Sequence, residues 1–216
     1  MQRIDGCSFL FQSGSCSVGR VVSELKEMGY TGMVTCGIKD EKIPPGDFKI
    51  IPVSYIRGAN IRAIQKEVQD PLKKGKYCMV QAGENGLNRS LLTLPGIHTL
   101  CDLQSAPKNA FDRFCAQLAA DRNIALDIRV RPLWELRGVP RERVIRTYEE
   151  ILLLQNRYEF PLTISSGAQT LFDIRTSRAV TTLLTEIGMD KDLITRSFAS
   201  VLGLLENHQA AREISV

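Results

Sequence analysis

The sequence is poor in the residue types that build catalytic metal sites. Among its 216 residues there are only two histidines, His98 and His208. Hydrolytic sites that hold two or three metal ions combine several histidines with carboxylates, so this count argues against such a site. A lone histidine in an apolar stretch is more often a packed side chain than a catalytic base. We therefore interpret His98 as a buried or pocket residue.

Closely spaced cysteines are also missing. The chain has six cysteines and no Cys-x-x-Cys pair; they are Cys7, Cys16, Cys36, Cys78, Cys101 and Cys115. Zinc sites and redox motifs depend on close spacing, so neither is indicated. We interpret the cysteines as reduced residues, several of them in apolar runs.

Long apolar runs and two common enzyme motifs are absent as well. No segment approaches the roughly 20 apolar residues of a membrane span. Residues 1–7 have no apolar core of a signal peptide, because Asp5 and Gly6 interrupt them, so we expect a cytoplasmic protein. No Gly-x-Gly-x-x-Gly follows the first predicted strand, and residues 12–16 (Gln-Ser-Gly-Ser-Cys) do not match a nucleophile elbow.

What the sequence does contain is a regular alternation of strand and helix patterns. Its 44% hydrophobic and 24% charged residues are typical of a soluble globular protein. The alternation repeats about seven times, and short apolar strands such as Tyr77–Val80 favour a sheet covered on both faces. We predict a TIM-barrel-like (β/α) barrel of about seven parallel strands over residues 1–206, with an open doubly wound sheet as the alternative. Residues 207–216 form a polar tail that we expect to be poorly ordered.

The most unusual stretch is Ile124–Pro132, which reads as a strand with all its charges on one face. Asp127, Arg129 and Arg131 alternate with aliphatic residues, and Pro132 stops further pairing. This face either lines a charged site or is a solvated outer face with local ion pairs. The pattern alone leaves the two interpretations equally open.

Polar residues also follow two other predicted strands. Ser165-Ser166-Gly167 closes one strand, and Arg175 and Arg178 come soon after it. Asn88 and Arg89 follow another. Hydroxyls and turn N–H groups bind phosphate oxygens, although the same residues often only end a strand or cap a turn. Because function in a barrel lies where strands end, we treat them as candidate site residues.

Basic residues concentrate in two windows, although the net charge is only +4. Residues 57–76 carry six basic side chains against two acidic ones, and so do residues 129–146. The first window includes Lys73, Lys74 and Lys76, and the second includes Arg141, Arg143 and Arg146. Solvated helix faces would explain one such run, whereas two runs favour a polyanionic partner.

The second half of the chain resembles the ribonuclease P protein component 3 family of archaea, which is related to the eukaryotic thirty-kilodalton subunit. The matching blocks are Leu118–Ala120, Ile124–Ala125, Val130–Leu133, Pro161–Gln169, Asp173–Arg175 and Ile187–Met189. The order and spacing of these blocks are more specific than any single block. The resemblance is good from about residue 109 to 200 and thinner before that.

The resemblance implies a barrel related to the polymerase-and-histidinol-phosphatase superfamily that has lost its metal ligands. Residues 5–8 read Asp-Gly-Cys-Ser where those enzymes have His-x-His. It implies a non-catalytic subunit that binds no cofactor and supports a magnesium-dependent catalytic RNA, together with protein component 2, in removing the 5′ leader of precursor tRNA. Two residues depart from the family: Arg113 stands where histidine is frequent, and Arg129 where the residue is often uncharged.

We therefore assign no catalytic residue and no metal ligand, and we expect a functional or RNA-binding surface. Its candidate residues are Arg131, Arg129, Ser165, Ser166, Asn88, Arg89, Arg175, Arg178, Lys73, Lys74, Lys76, Arg141, Arg143 and Arg146. Two other classes remain open at this point. One is a stand-alone metal-dependent phosphoesterase on the same barrel, and the other is a small-molecule enzyme that uses Asp127 and Arg131.

Overall fold

Seven parallel strands form one sheet in which every strand pairs with its neighbour in the sequence. The computed structural model describes residues 2–11, 16–38 and 46–213, with side chains as far as Glu206. The strands are β1 (Ile4–Ser8), β2 (Gly32–Thr35), β3 (Lys49–Ile56), β4 (Tyr77–Gln81), β5 (Thr99–Cys101), β6 (Ala125–Arg129) and β7 (Leu162–Ser165). Their order in the sheet is β1 to β7 without a switch point. This order excludes the doubly wound alternative, in which the strand order reverses.

The sheet curls into a nearly closed barrel because the chain after β7 returns to β1. The N–H of Gly167 donates to the carbonyl oxygen of Cys7 at 3.0 Å, and the N–H of Phe9 donates to that of Ala168 at 2.7 Å. Gly6 permits this approach, since a Cβ there would lie 2.8 Å from the carbonyl oxygen of Ile164. The predicted (β/α) barrel is confirmed.

Eight helices accompany the strands in the described part of the chain. They are α1 (Val18–Glu27), α2 (Ile61–Lys74), α3 (Asn85–Leu91), α4 (Arg113–Asp121), α5 (Arg131–Glu135), α6 (Gly138–Tyr158), α7 (Ser177–Glu186) and α8 (Lys191–Glu213). Side-chain caps fix several starts: the side chains of Ser17, Asn60, Asp112 and Thr176 accept N–H groups of α1, α2, α4 and α7. Across the described residues, no helix combines the length and apolar character needed to cross a bilayer.

Two elements differ from the sequence prediction. The strand predicted over Ile124–Pro132 is β6, which ends at Arg129, and the chain turns at once into α5, with Pro132 in its first turn. Proline suits that position because its missing N–H would have no helical partner there. Near the C-terminus, the backbone of α8 continues through residues 207–213, where the sequence predicted a poorly ordered tail. Residues 12–15 and 214–216 lie outside the described residues.

The apolar core divides into an outer and an inner layer. The outer layer lies between strands and helices and includes Leu126, Ile128 and Val130 of the β6 segment. The inner layer fills the barrel with residues such as Tyr77, Met79 and Cys101, and α8 adds Val201 and Leu204. Alternate strand residues point to opposite faces, so the charged face of β6 must point into the barrel.

Candidate functional site

Arg129 lies inside the barrel and is paired with two carboxylates. Its side chain is about 10% exposed, and its guanidinium donates to Asp102. Its Nη2 lies 3.7 Å from Oδ2 of Asp127. The guanidinium carbon also lies 5.5 Å from the ring centroid of Phe9 and 5.8 Å from that of Tyr55. A buried charge requires such partners, since unpaired burial is costly.

The partner carboxylates are themselves hydrogen bonded. Asp127 is fully buried and accepts from Oγ of Ser165 at 2.6 Å and from Oγ1 of Thr163 at 3.1 Å. Asp102 accepts from the Tyr55 hydroxyl and from Nε2 of Gln104 at 3.2 Å. The carboxylate oxygens around Arg129 are thus held by hydroxyl, amide and guanidinium donors of the barrel.

Another buried carboxylate, Asp5, closes the barrel between its first and last strands. It accepts from the N–H and the Oγ of Ser166, both at 2.6 Å. The side chains of Ser165 and Ser166 therefore point to carboxylates and are less than 4% exposed. We call the set of Asp5, Asp102, Asp127, Arg129, Ser165 and Ser166 the interior cluster.

Burial changes the ionisation of this interior cluster. The pKa of Asp5 is raised to about 7, because burial outweighs the hydrogen bonds from Ser166 and Cys7. Burial also raises the pKa of Asp127 to about 6, although the positive charge of Arg129 and the hydroxyls of Ser165 and Thr163 oppose it. Burial acts against the charged form of Arg129, but the charges of Asp127 and Asp102 outweigh it, so the pKa of Arg129 is raised.

The carboxyl ends of the strands open above the interior cluster into a small cavity. Its volume is about 390 Å³, and its lining includes Arg57, Arg129, Arg131 and Gln169. In the described part of the chain, no three side chains among histidine, cysteine, aspartate and glutamate come together in a way that could hold a metal ion.

Arg131 differs from Arg129 although only one residue separates them. Its Nε donates to Oε1 of Glu135 at 2.6 Å along α5, and its side chain is 21% exposed. The sequence pattern placed Asp127, Arg129 and Arg131 on one strand face. The structure confirms this for Asp127 and Arg129 and corrects it for Arg131, because the strand ends before that residue.

Arg131 belongs to a set of exposed and partly exposed aromatic and basic side chains at the carboxyl end of the barrel. Phe172 is 88% exposed, and the guanidinium carbon of Arg175 lies 5.2 Å from the ring centroid of Trp134. Arg137 is exposed at the start of α6. Arg178 is also exposed, but it begins α7 next to Ser177, which contacts Arg3 and Met28 at the amino ends of the strands. We call the set of Arg131, Trp134, Arg137, Phe172 and Arg175 the rim patch.

The remaining candidates separate into buried and exposed residues. Asn88 is buried, and its side-chain amide hydrogen bonds to the backbone of Gly83 and Ala110 at 2.8–3.0 Å. It therefore holds the loop after β4 against the segment before α4. Arg89 is partly exposed, pairs with Asp112, and lies over the ring of Phe114 at 5.0 Å. Ser165 and Ser166 are occupied as described above, and we leave both out of any RNA-binding surface.

The two predicted basic windows lie at opposite ends of the barrel. Lys73 and Lys74 end α2 and Lys76 precedes β4, which places them at the amino ends of the strands. Arg141, Arg143 and Arg146 lie in the first half of α6, which begins near the carboxyl ends. The 14-residue helix α2 alone separates the two ends by about 20 Å.

Sequence reasoning missed the partners of Arg129 and of Ser166. Asp5 and Asp102 are far from Asp127 in the sequence, and neither Tyr55 nor Phe9 carries a recognisable motif. Their positions could have indicated a shared site, since Asp5 lies on a strand and Asp102 directly follows one. His98 is buried as expected, with its Nδ1 accepting the N–H of Cys78 at 3.2 Å. None of the six cysteines is in a disulfide in the structure.

The family model described as RNase P subunit p30 matches residues 11–213 of this chain. The chain belongs to the RNase P subunit p30 family. Its role as a protein subunit of ribonuclease P follows from this membership, and the resemblance noted in the sequence is confirmed. The chain is 25% identical to ribonuclease P protein component 3 of Methanosarcina barkeri over 198 residues, covering 87% of this chain and 82% of that protein. The corresponding protein of Methanosarcina mazei is also 25% identical, over 199 residues, with the same coverage of 87% and 82%.

Solved structures show the same fold. A chain in the cryo-EM structure of archaeal ribonuclease P with mature tRNA superposes with a TM-score of 0.75 at 17% identity, covering 96% of this chain and 92% of that chain. A prolidase complexed with N-methylphosphonate-L-proline superposes with a TM-score of 0.64 at 10% identity, covering 94% and 74%. At these identities the likeness establishes the barrel fold alone.

Proposed function

We propose that this chain supports the catalytic RNA of ribonuclease P, together with protein component 2, when the holoenzyme removes the 5′ leader from precursor tRNA in the cytoplasm. The observation that carries the proposal is the family match over residues 11–213. It is supported by the likeness to a chain of archaeal ribonuclease P that covers nearly the whole of both chains.

The endonuclease activity belongs to the holoenzyme in this proposal, and the chain contributes no catalytic group and binds no cofactor. Magnesium serves the partner RNA. The barrel interior supports this division, because the carboxylates of the interior cluster are hydrogen bonded to serine, threonine, tyrosine and arginine side chains. A carboxylate bound in this way would have to exchange partners before it could act on a substrate.

Contact with RNA is proposed for the basic side chains that remain accessible. These are Arg89, Arg131, Arg175, Arg178, Lys73, Lys74, Lys76, Arg141, Arg143 and Arg146, which are exposed or partly exposed. Arginine and lysine neutralise phosphates and release counterions, so RNA affinity should fall steeply as salt rises. Arg129 does not contact RNA in this proposal. It fixes the end of β6, and Arg131 begins the helix that follows.

The test is precursor-tRNA cleavage by the catalytic RNA and protein component 2 at low magnesium, with and without this chain. We expect activity to depend on the chain. We also expect Arg131→Ala to reduce activity while the unfolding curve stays unchanged, with Lys191→Ala as a matched control on an exposed residue of α8. If the chain leaves RNA cleavage unchanged and hydrolyses a phosphodiester alone, the proposal is wrong.

A further inference from the structure

Phe172 is a large aromatic side chain that the fold leaves in solvent. It lies in a short 3₁₀ turn, Leu171–Asp173, that follows β7. At 88% exposure it is the most exposed of the large hydrophobic residues in the described part of the chain. Packing within this chain does not account for a phenylalanine here, which makes it a candidate contact for a partner.

The turn that carries Phe172 is fixed on both sides. Oδ2 of Asp173 accepts the N–H groups of Gln169 and Thr170 at 3.0 and 2.9 Å. Nη1 of Arg175 donates to the carbonyl oxygens of Phe172 and Ile174 at 2.7 and 3.1 Å. The backbone under Phe172 is therefore ordered before any ligand binds, which lowers the entropic cost of using the ring as a contact.

Arg175 connects this turn to a second aromatic ring. Its guanidinium lies over Trp134 at 5.2 Å, and Arg137 donates to the carbonyl oxygen of Trp134 at 3.2 Å. The rim patch thus contains two aromatic side chains bridged by one arginine. It holds three arginines, and the neighbouring acidic residues Glu135 and Asp173 bind Arg131 and backbone N–H groups respectively.

We propose that Phe172, Trp134 and Arg175 form a stacking platform for unpaired nucleobases of RNA. This proposal rests on the function proposed above, and it specifies that the rim patch binds unpaired bases of the RNA. Aromatic rings and guanidinium planes stack on single-stranded bases, while nearby arginines bind the adjoining phosphates. A paired helix does not fit, since its bases are already stacked and offer no free face.

The positive charge of the rim patch selects RNA over an apolar protein segment as the occupant. A protein partner would contact Phe172 through its apolar surface alone and would accept leucine in its place. Base stacking requires a flat π system, which leucine lacks and tryptophan retains. This difference makes residue 172 a direct test of the two occupants.

The experiment measures the affinity of the reconstituted holoenzyme for precursor tRNA with Phe172→Ala, Phe172→Leu and Phe172→Trp. We expect the alanine and leucine variants to weaken binding by about tenfold, which lies within the range found for one stacked base, and the tryptophan variant to bind as the wild type does. Chemical probing of unpaired nucleotides in the same complexes should show protections that the alanine and leucine variants lose and tryptophan keeps.

Three results would overturn the platform. Leucine restoring wild-type affinity would point to an apolar protein contact, and an alanine variant with unchanged affinity and unchanged protections would remove any role for the ring. Loss of protection confined to paired nucleotides would also contradict it. If instead the wild-type chain fails to stimulate cleavage, the function proposed above fails, so the two failures are distinguishable. Leu153→Ala, which alters another highly exposed apolar residue (72% exposed) on α6, is the matched control.

Discussion

Arg129 and Arg131 are separated by one residue in the sequence, and they lie in two regions that use charge in different ways. Arg129 belongs to the interior cluster, where Asp102 and Asp127 are its partners and exposure is about 10%. Arg131 belongs to the rim patch, where its partner is Glu135, four residues along α5. Inside the barrel the charge is needed to balance buried carboxylates, whereas on the rim it remains available to a ligand.

The difference shows that burial decides the role of a charged side chain more than its type does. Buried ion pairs contribute little net stability while intact, yet removing one partner leaves an uncompensated charge. Exposed pairs on a helix are worth a few tenths of a kcal/mol and exchange easily. The interior cluster should therefore affect stability, and the rim patch should affect binding.

The largest expected effect comes from Arg129→Met. The substitution leaves Asp102 and Asp127 buried without their cation, so we expect a loss of about 3–5 kcal/mol in the free energy of unfolding. Denaturation in urea measures it. Arg131→Met is the matched control and should change stability by less than about 1 kcal/mol. Equal losses of unfolding free energy in Arg129→Met and Arg131→Met would show that the interior cluster and the rim patch do not differ in this way.

The pH dependence of stability is the next effect in size. Because the folded pKa of Asp5 is raised to about 7, the folded protein binds a proton that the unfolded chain releases near pH 4. The contribution of Asp5 to the unfolding free energy should therefore be largest below about pH 4 and fall as pH rises to about 7, at up to roughly 1.4 kcal/mol per pH unit. Asp127, with a pKa of about 6, acts in the same direction.

Asp5→Asn removes the first of these titrations and keeps an acceptor for Ser166. We expect a shallower slope between pH 5 and 7 and a variant at least as stable as the wild type at pH 8. Asp112→Asn is the control of opposite sign. Partial burial favours the neutral form of Asp112, but hydrogen bonds from Cys115 and Arg89 outweigh it and lower the pKa to about 2, so its stabilisation is lost only at acid pH. An unchanged slope in Asp5→Asn would show that Asp5 is ionised in the folded protein at neutral pH.

A smaller effect is expected where the backbone of β7 turns against Arg129. Gly167 has a φ of +63°, and a Cβ there would lie 2.7 Å from Cδ of Arg129. Gly138 has a φ of +57° and nothing within 4 Å of its Cβ position. Both alanine variants carry the cost of a left-handed backbone, about 1 kcal/mol, and Gly167→Ala should lose roughly 1–3 kcal/mol more through the clash. Identical melting curves for Gly167→Ala and Gly138→Ala would mean that the side chain of Arg129 moves aside without loss of stability.

The smallest effect on stability, and the sharpest comparison of the two barrel ends, comes from the basic clusters. Replacing Arg141, Arg143 and Arg146 with glutamine should leave stability within about 0.5 kcal/mol per site, and so should the same change at Lys73, Lys74 and Lys76. The salt dependence of RNA affinity should weaken by about 0.7–0.9 in logarithmic slope for each phosphate that the variant no longer neutralises. We expect the arginine variant to bind RNA more weakly than the lysine variant, because its cluster lies near the rim patch. If the lysine variant binds RNA more weakly than the arginine variant, the RNA-binding surface lies at the amino ends of the strands instead.

Much of the barrel could be predicted because its signals are local. Period-two and period-3.6 patterns predicted about seven alternating strands and helices, and the structure has seven parallel strands in its described part. Alternation also put Asp127 and Arg129 on one side of β6, but it left open whether that side faces the barrel interior or solvent. The site was predicted less well: four of its candidates, Arg129, Ser165, Ser166 and Asn88, are buried and bonded to this chain.

What the sequence determined by itself, then, is the alternation of elements, the family and the existence of a charged strand face. Only the tertiary structure decided where each charge goes. Barrel closure brings Asp5 to Ser166, 161 residues away, and places Asp102 against Arg129, 27 residues away. Periodicity reports on neighbours along the chain, whereas the environment of a buried charge depends on partners from other strands. For that reason Arg129 and Arg131 look alike in the sequence and differ in the folded protein.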